Sequence, residues 1–168
     1  MQKAILGAAL GAALSLASAA ASAVTLSYAT VPFEVTGVML EVAGPSARCP
    51  SQFGGTITGF GDSAQVGRLS FVATDCITPA PPIFNFSKGR FIIMTTSGDQ
   101  IYASYSGQMI PTGEGAQYTF TGATFQITGG TGAYLFASGG GTLDGKEDMS
   151  TGQGTLKLSG KMSYWLAR

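Results

Sequence analysis

Hydrophobic and polar residues alternate along most of this chain, with glycine-rich stretches between the alternating segments. From Val66 to Asp75, the side chains of Leu69, Phe71 and Ala73 would share one face of an extended strand. This period of two is the pattern of a β-strand with one buried face. Gln100–Met109 alternates in the same way after a Ser-Gly-Asp turn, which predicts a hairpin.

Eight segments carry this signal, and no amphipathic helix is predicted after the first residues. Tyr134–Phe136 is predicted as a single helical turn, and Ile77–Ser87, which contains three prolines, is predicted as a loop because proline lacks the N–H that a strand donates. The predicted strands are Val31–Val42, Phe53–Phe60, Val66–Asp75, Gly89–Thr96, Gln100–Met109, Gln117–Thr128, Ser138–Lys146 and Gly154–Trp165. Short strands joined by short turns are typical of an antiparallel barrel or a sandwich.

The glycine run Gly129–Gly132 is predicted to be a turn or bulge between two strands. Further on, Gly140–Lys146 comes close to the spacing of a phosphate-binding loop, but Glu147 stands where Ser or Thr would hold Mg²⁺. The loop would also have to open a helix, whereas Glu147 and Asp148 are predicted to lie in a turn. The sequence therefore argues against a nucleotide site.

The first residues have the pattern of an export signal. Lys3 precedes the apolar run Ala4–Leu16, and Ala21–Ala23 is a small-residue cleavage site. Residues 1–23 are therefore predicted to be a signal peptide and residues 24–168 a single β-barrel domain, located in the periplasm or outside the cell. A membrane anchor is the alternative, but the run is shorter than the ~20 residues that a span needs. No later run predicts a span in the mature chain.

Charge and composition exclude several classes of function. The chain has nine basic and nine acidic residues and no basic run, so nucleic acid is not a predicted partner. It contains no histidine, which excludes Ser-His-Asp and Cys-His catalysis and histidine-ligated zinc. Two cysteines are too few for a cysteine-only zinc site. We predict no metal site and no cofactor.

The two cysteines, Cys49 and Cys76, are predicted to form a disulfide, as an even pair does in an oxidising compartment. A thiolate nucleophile is the alternative. It would need a nearby base or cation to lower the pKa of its thiol, and the chain has no histidine to act as that base.

Aromatic and arginine side chains are the candidates for a ligand pocket. A barrel pocket needs aromatic walls and a few polar groups, and packing within the core is the competing role for the same residues. The acidic residues form no recognisable pair and are predicted to be mainly solvated turn residues. The predicted ligand-binding residues are Tyr102, Tyr105, Tyr118 and Arg68.

Several longer motifs carry a family resemblance. Gly89–Gly107, Phe125–Tyr134 and the Cys49–Pro50 pair resemble exported bacterial proteins with an allene oxide cyclase barrel-like fold, related in architecture to plant dirigent proteins. The resemblance implies an eight-stranded barrel with a small apolar cavity and no metal or organic cofactor. The plant relatives cyclise an allene oxide or steer phenoxy-radical coupling. None of their catalytic motifs can be placed on this chain, because the shared motifs are structural glycines.

The sequence thus predicts an all-β, eight-stranded antiparallel closed barrel. The leading functional hypothesis is an exported barrel that binds a small apolar or amphipathic ligand without catalysis. A cofactor-free cyclase or dirigent-type stereo-guiding protein is one alternative, and a structural or surface-interaction barrel is another. The sequence leaves the ligand and the oligomeric state open.

Overall fold

The computed structural model describes residues 26–167, which form one closed barrel of eight antiparallel strands. Each strand pairs with the next along the chain, and β8 closes the barrel by pairing with β1. The strands are β1 Leu26–Pro45, β2 Phe53–Ser63, β3 Gly67–Ala80, β4 Ile83–Thr95, β5 Gln100–Pro111, β6 Gln117–Gly130, β7 Ser138–Asp148 and β8 Gln153–Ala167. The predicted signal peptide, residues 1–23, lies outside the described residues.

Alternation of side chains builds the interior of the barrel. In β3, Leu69, Phe71 and Ala73 point inward and are buried, while Ser70 and Val72 between them are exposed. The same period of two runs through the other strands, so one face of every strand fills the lumen. The largest fully buried side chains include Phe33, Val35, Phe71, Ile77, Ile93, Ile101, Leu158 and Met162.

Closure of the sheet decides between the barrel and the sandwich. The strand β1 is 20 residues long. Its first part pairs with β8, and from Thr36 onward it also pairs with β2. Because β1 has a partner on both sides, the sheet has no free edge along this middle part. The predicted closed barrel is confirmed, and the sandwich alternative is wrong.

The prediction of a loop over Ile77–Ser87 is wrong. Strand β3 continues to Ala80, and β4 starts at Ile83 after a turn at Pro81–Pro82. Pro79 pairs with Phe84 of β4, while the pairing of β3 with β2 ends at Thr74. This part of β3 therefore has a neighbouring strand on one side only. Proline is tolerated in a strand where no neighbouring strand accepts a hydrogen bond from that position.

The segment after β6 is close to the prediction. A 3-10 helix occupies Gly132–Tyr134 and buries Tyr134. It is the only helix among residues 26–167, so no helix in that range is long enough to cross a bilayer. Gly132 has a φ of 53°, a backbone conformation that favours glycine, and it begins the turn. Gly129 and Gly130 still belong to β6 and pair with β5, so only the second half of the predicted glycine turn lies outside the strand.

The two ends of the barrel differ in what closes them. We call one the disulfide end, since it carries the β1–β2 loop, residues 46–52, and the disulfide that ties this loop to β3. The predicted Cys49–Cys76 bond is confirmed, with a Cα–Cα distance of 5.3 Å and both cysteines buried. We call the other the terminal end, since Leu26 and Ala167 pair there.

Candidate functional site

A small cavity lies inside the barrel near the disulfide end. Its volume is about 20 Å³, enough for about one water molecule. Most of its wall is apolar, and three side chains on it are polar. The lining residues are Met39, Glu41, Ile57, Asp75, Phe86, Phe91, Tyr105, Met109, Phe120, Leu143 and Leu156.

Three carboxyl groups and one phenol enter the lumen at this end. Glu41 continues the inward face of β1 after Met39, and Glu147 continues the inward face of β7 after Leu143. Asp75 of β3 and Tyr105 of β5 do the same on their strands. Glu41 is 8% exposed, Asp75 3% and Glu147 3%. Buried carboxyl groups are uncommon in proteins unless they are paired or protonated.

Glu41 and Glu147 form a carboxyl pair. The pKa of Glu41 is raised to about 9, mainly by burial and also by the charges of Glu147 and Asp75 and a hydrogen bond with Glu147. Burial also raises the pKa of Glu147, while its hydrogen bond with Glu41 lowers it. Glu41 therefore keeps its proton and donates it to Glu147. Among the described residues, Glu41 Oε1 and Glu147 Oε2 have no hydrogen-bond partner.

Asp75 is held by two donors. The Tyr105 hydroxyl donates to Oδ2 at 2.9 Å, and the Gly55 backbone N–H donates to Oδ1 at 3.2 Å. Burial raises the pKa of Asp75, and these two hydrogen bonds and the charge of Arg48 oppose the rise. Burial, together with the Asp75 charge, raises the pKa of Tyr105 well above its ordinary value. Tyr105 is therefore a hydrogen-bond donor throughout the working range of pH.

We call Glu41, Asp75 and Glu147 the acidic cluster, and one cation lies at its edge. Arg48, in the disulfide-linked loop, donates a hydrogen bond to the backbone carbonyl of Lys88 at 3.2 Å. Its charge lowers the pKa of both Asp75 and Tyr105. Arg48 is exposed, so water screens much of its charge. Arg48 therefore neutralises only a small part of the negative charge of the buried carboxyl groups.

Glycine at the start of β2 allows the carboxyl groups to sit where they do. A Cβ atom on Gly55 would overlap Oε1 of Glu41, and one on Gly54 would overlap the backbone carbonyl oxygen of Asp75. Any larger residue at position 55 would therefore push Glu41 away from the wall. The backbone of Gly55 thus donates a hydrogen bond to Asp75 and also lies against the carboxyl group of Glu41.

The structure brings one of the four predicted ligand-binding residues to the cavity. Tyr105 lines it. Tyr102 is on the outer face, where its hydroxyl donates to Gln100 Oε1 at 2.8 Å. Tyr118 is half-buried and packs against Phe84, with ring centroids 5.6 Å apart. Arg68 is exposed on β3. The four are not clustered, and their role in binding stays a prediction.

None of the three buried carboxyl residues is predicted as a site residue from the sequence. Glu147 was predicted to lie in a turn, which is wrong because it is a buried residue of β7. A signal was present in the sequence: Glu41, Asp75 and Glu147 each fall in phase with the apolar residues of their strand. Reading that phase through the strand end would have placed them in the lumen. Among residues 26–167, no group of three or more side chains is arranged to hold a metal ion.

Removal of the Tyr105 hydroxyl is expected to destabilise the fold. The Tyr105→Phe variant leaves Asp75 Oδ2 without the donor at 2.9 Å, and an unpaired buried acceptor costs about 1–3 kcal/mol. Urea unfolding at pH 7 measures this loss. Tyr102→Phe is the matched control, since its hydroxyl contacts Gln100 on the outer face. Equal losses in the two variants would contradict the assigned role.

Comparison with known proteins adds little to this picture. No family model matches the chain, and no curated protein matches it. Among solved structures, the chain is similar to the pterocarpan synthase dirigent protein GePTS1, with 16% sequence identity and a TM-score of 0.42. The match covers 86% of this chain and 88% of that chain. Membership of a family is not shown, and a likeness this distant does not bear on the site.

Proposed function

We propose that the lumen at the disulfide end binds a small, largely apolar molecule that carries one hydrogen-bonding oxygen. In this proposal the oxygen of the ligand replaces Glu147 as the acceptor of the proton that Glu41 retains, and Phe86 and Phe91 pack against the apolar part. One observation carries the proposal: the Glu41 carboxyl group, only 8% exposed, borders an aromatic-lined cavity.

The composition of the wall supports an amphipathic ligand. Ligand sites in barrels combine apolar walls with a few polar groups that fix orientation. Here Phe86, Phe91 and Phe120 supply aromatic surface, and Glu41 supplies a donor. The acidic cluster disfavours anions, because a second negative charge near Asp75 and Glu147 would be repelled in a medium of low dielectric constant. A neutral molecule fits this wall best.

Space for the ligand would come from flexible side chains. The cavity of about 20 Å³ holds one water and no larger molecule. Met39 and Met109 line it, and methionine has three rotatable bonds and adapts to irregular volumes. A ligand that enters from the disulfide end would displace these two side chains toward solvent. The proposal therefore includes a rearrangement of methionines on binding.

The proposed location is outside the cytoplasm. The disulfide supports this, since such bonds persist in oxidising compartments. The redox state of the two cysteines in protein from native cells tests this location.

A neutral fluorescent ketone tests the proposed binding. Prodan carries a naphthalene ring and a carbonyl acceptor. We expect saturable 1:1 binding with a blue shift of its emission. Met39→Trp should abolish it by filling the cavity, and Leu40→Trp, the neighbouring outward residue of β1, should leave it intact. Far-UV circular dichroism confirms that each variant is folded.

The pH dependence provides a second readout of the same site. Binding should weaken above about pH 9, where Glu41 loses its proton. Glu41→Gln should remove this dependence, because the amide N–H₂ donates at every pH. Binding that survives Met39→Trp, or the absence of any saturable binding, would show that the lumen is not the ligand site.

Acid catalysis without a cofactor is the second candidate function. A general acid needs a carboxyl group that keeps its proton near neutral pH, and burial in an apolar site is the usual way to achieve this. Glu41 has that environment and borders the cavity. A carboxyl-carbon NMR titration of the folded protein decides this candidate. An ordinary pKa for Glu41, near 4.5, would remove it.

A further inference from the structure

We propose that the terminal end of the barrel docks on the surface of a lipid bilayer. Five large side chains there form what we call the apolar end patch: Leu26, Tyr28, Leu135, Phe136 and Trp165. All five are exposed. This surface is separate from the acidic cluster, which lies at the disulfide end.

The first part of the patch is a two-stranded ribbon that extends beyond the closed barrel. The pairing of β1 with β8 starts at Leu26, whereas β1 first meets β2 at Thr36 and β8 last meets β7 at Ser163. The ribbon presents Tyr28 and Trp165 as a directly opposed pair. Their ring centroids are 5.3 Å apart in an edge-to-face arrangement.

The second part of the patch follows the 3-10 helix and is held against the ribbon. The Tyr28 hydroxyl lies 3.1 Å from Ser138 Oγ, two residues after Phe136. Beneath the ribbon, the rings of Tyr134 and Tyr164 pack with centroids 5.2 Å apart. The exposed apolar side chains therefore stand on a packed base, which fixes their positions relative to one another.

The chemistry of the patch fits a lipid surface. Tyrosine and tryptophan have an apolar body and a polar tip, and they are enriched where a bilayer meets water. Residues 26–30, 131–138 and 163–167 include no charged side chain. Asp99 lies at the margin, where it accepts from the Ala133 N–H at 3.5 Å, and Arg168 follows outside the described residues. Apolar insertion, rather than attraction to anionic lipid, is the binding force that this surface offers.

The preceding chain joins the fold at this patch. Leu26 follows directly on residues 1–25, which contain the apolar run Ala4–Leu16. That run is predicted to direct the chain into a membrane-bound export route. During export, the patch would therefore emerge beside the membrane that the chain has just crossed, before residues 1–23 are removed. This proximity is the reason we choose a bilayer over a second copy of the barrel.

Tryptophan fluorescence tests the docking directly, because Trp165 is the only tryptophan of the chain. With the full chain and vesicles of phosphatidylcholine, we expect a blue shift of the emission. Lipids brominated on the acyl chain should quench it. The shift should be equal at 0.1 and 1 M salt, values we choose to span about 10 to 3 Å in Debye length.

Two variants with equal exposure separate the patch from the rest of the surface. Phe136 and Phe60 are both 68% exposed, and Phe60 lies on the barrel wall away from the patch. Phe136→Ser should weaken vesicle binding about tenfold, and Phe60→Ser should leave it unchanged. Residues 1–25 are the same in both variants, so they cannot cause the difference.

Several results would overturn the proposal. No shift with vesicles, a shift lost at high salt, or equal effects of the two variants would each exclude docking through the patch. A shift that appears without lipid and rises with protein concentration would assign the patch to a second copy of the chain.

Discussion

The folded protein is expected to lose stability steadily as the pH rises from about 4.5 to about 9. In the folded barrel, burial and the neighbouring carboxyl groups raise the pKa of Glu41 from 4.5 to about 9. Between these values the native state holds a proton that the unfolded chain has released. Since stability falls with pH wherever the native state binds more protons, this group favours unfolding progressively across that window.

The size of the effect is large because more than one group contributes. Each such group costs up to about 1.4 kcal/mol per pH unit within its own window. Burial raises the pKa of Asp75 and Glu147 as well, so their contributions have the same sign. Over the four pH units between pH 5 and pH 9, that slope would give about 6 kcal/mol for Glu41 alone. Even half of that, about 3 kcal/mol, would lower the Tm by roughly 10 °C in a domain of this size.

Thermal unfolding across this range, followed by circular dichroism, measures the slope. Glu41→Gln should reduce it and should be more stable than the wild type at pH 8, since the amide keeps the hydrogen bond to Glu147 and has no charge to bury. Glu34→Gln is the control, an exposed position on the same strand. A pH profile that Glu41→Gln leaves unchanged would contradict the buried, protonated state of Glu41.

Loss of the Cys49–Cys76 bond is expected to have the second-largest effect. The bond joins residues 27 positions apart, and in the chain-entropy account closing a loop of that length contributes about 3.5 kcal/mol. That corresponds to a Tm lower by roughly 10 °C. The Cys49→Ala, Cys76→Ala double variant tests this, because alanine is tolerated at buried sites and leaves no free thiol.

Reductant provides the matched control. It should lower the Tm of the wild type toward that of the double variant and should leave the double variant unchanged. A wild type that is fully reduced, by mass after alkylation, yet melts at its original temperature would contradict the prediction. Two free thiols in protein taken from native cells without reductant would contradict the proposed export.

Much of the fold is predictable because it depends on local alternation. Leu69, Phe71 and Ala73 predict a strand from their spacing alone, and the pairing of Cys49 with Cys76 follows from their number. The predicted loop at Pro79 is wrong for a physical reason. Proline is excluded from a strand only where its N–H is needed, and at Pro79 the neighbouring strand has already ended. Strand pairing across the sheet decides that, and no local pattern records it.

In the candidate site too, local sequence indicates some residues, and only the pairing of distant strands reveals the others. Tyr105 could be chosen from sequence as an aromatic residue on the apolar face of its strand. Glu41 and Glu147 are 106 residues apart in the chain and become a pair because β1, β8 and β7 are neighbours in the closed sheet. Their shared proton is a consequence of that adjacency.

The sequence by itself determined that this chain forms strands, which face of most strands is apolar, and which two cysteines bond. These properties arise from side-chain period and composition, which act over a few residues. The tertiary structure alone decided that three carboxyl groups share a space with little water and that five apolar side chains meet at the terminal end. Burial and proximity create those properties, and both depend on how distant strands are brought together.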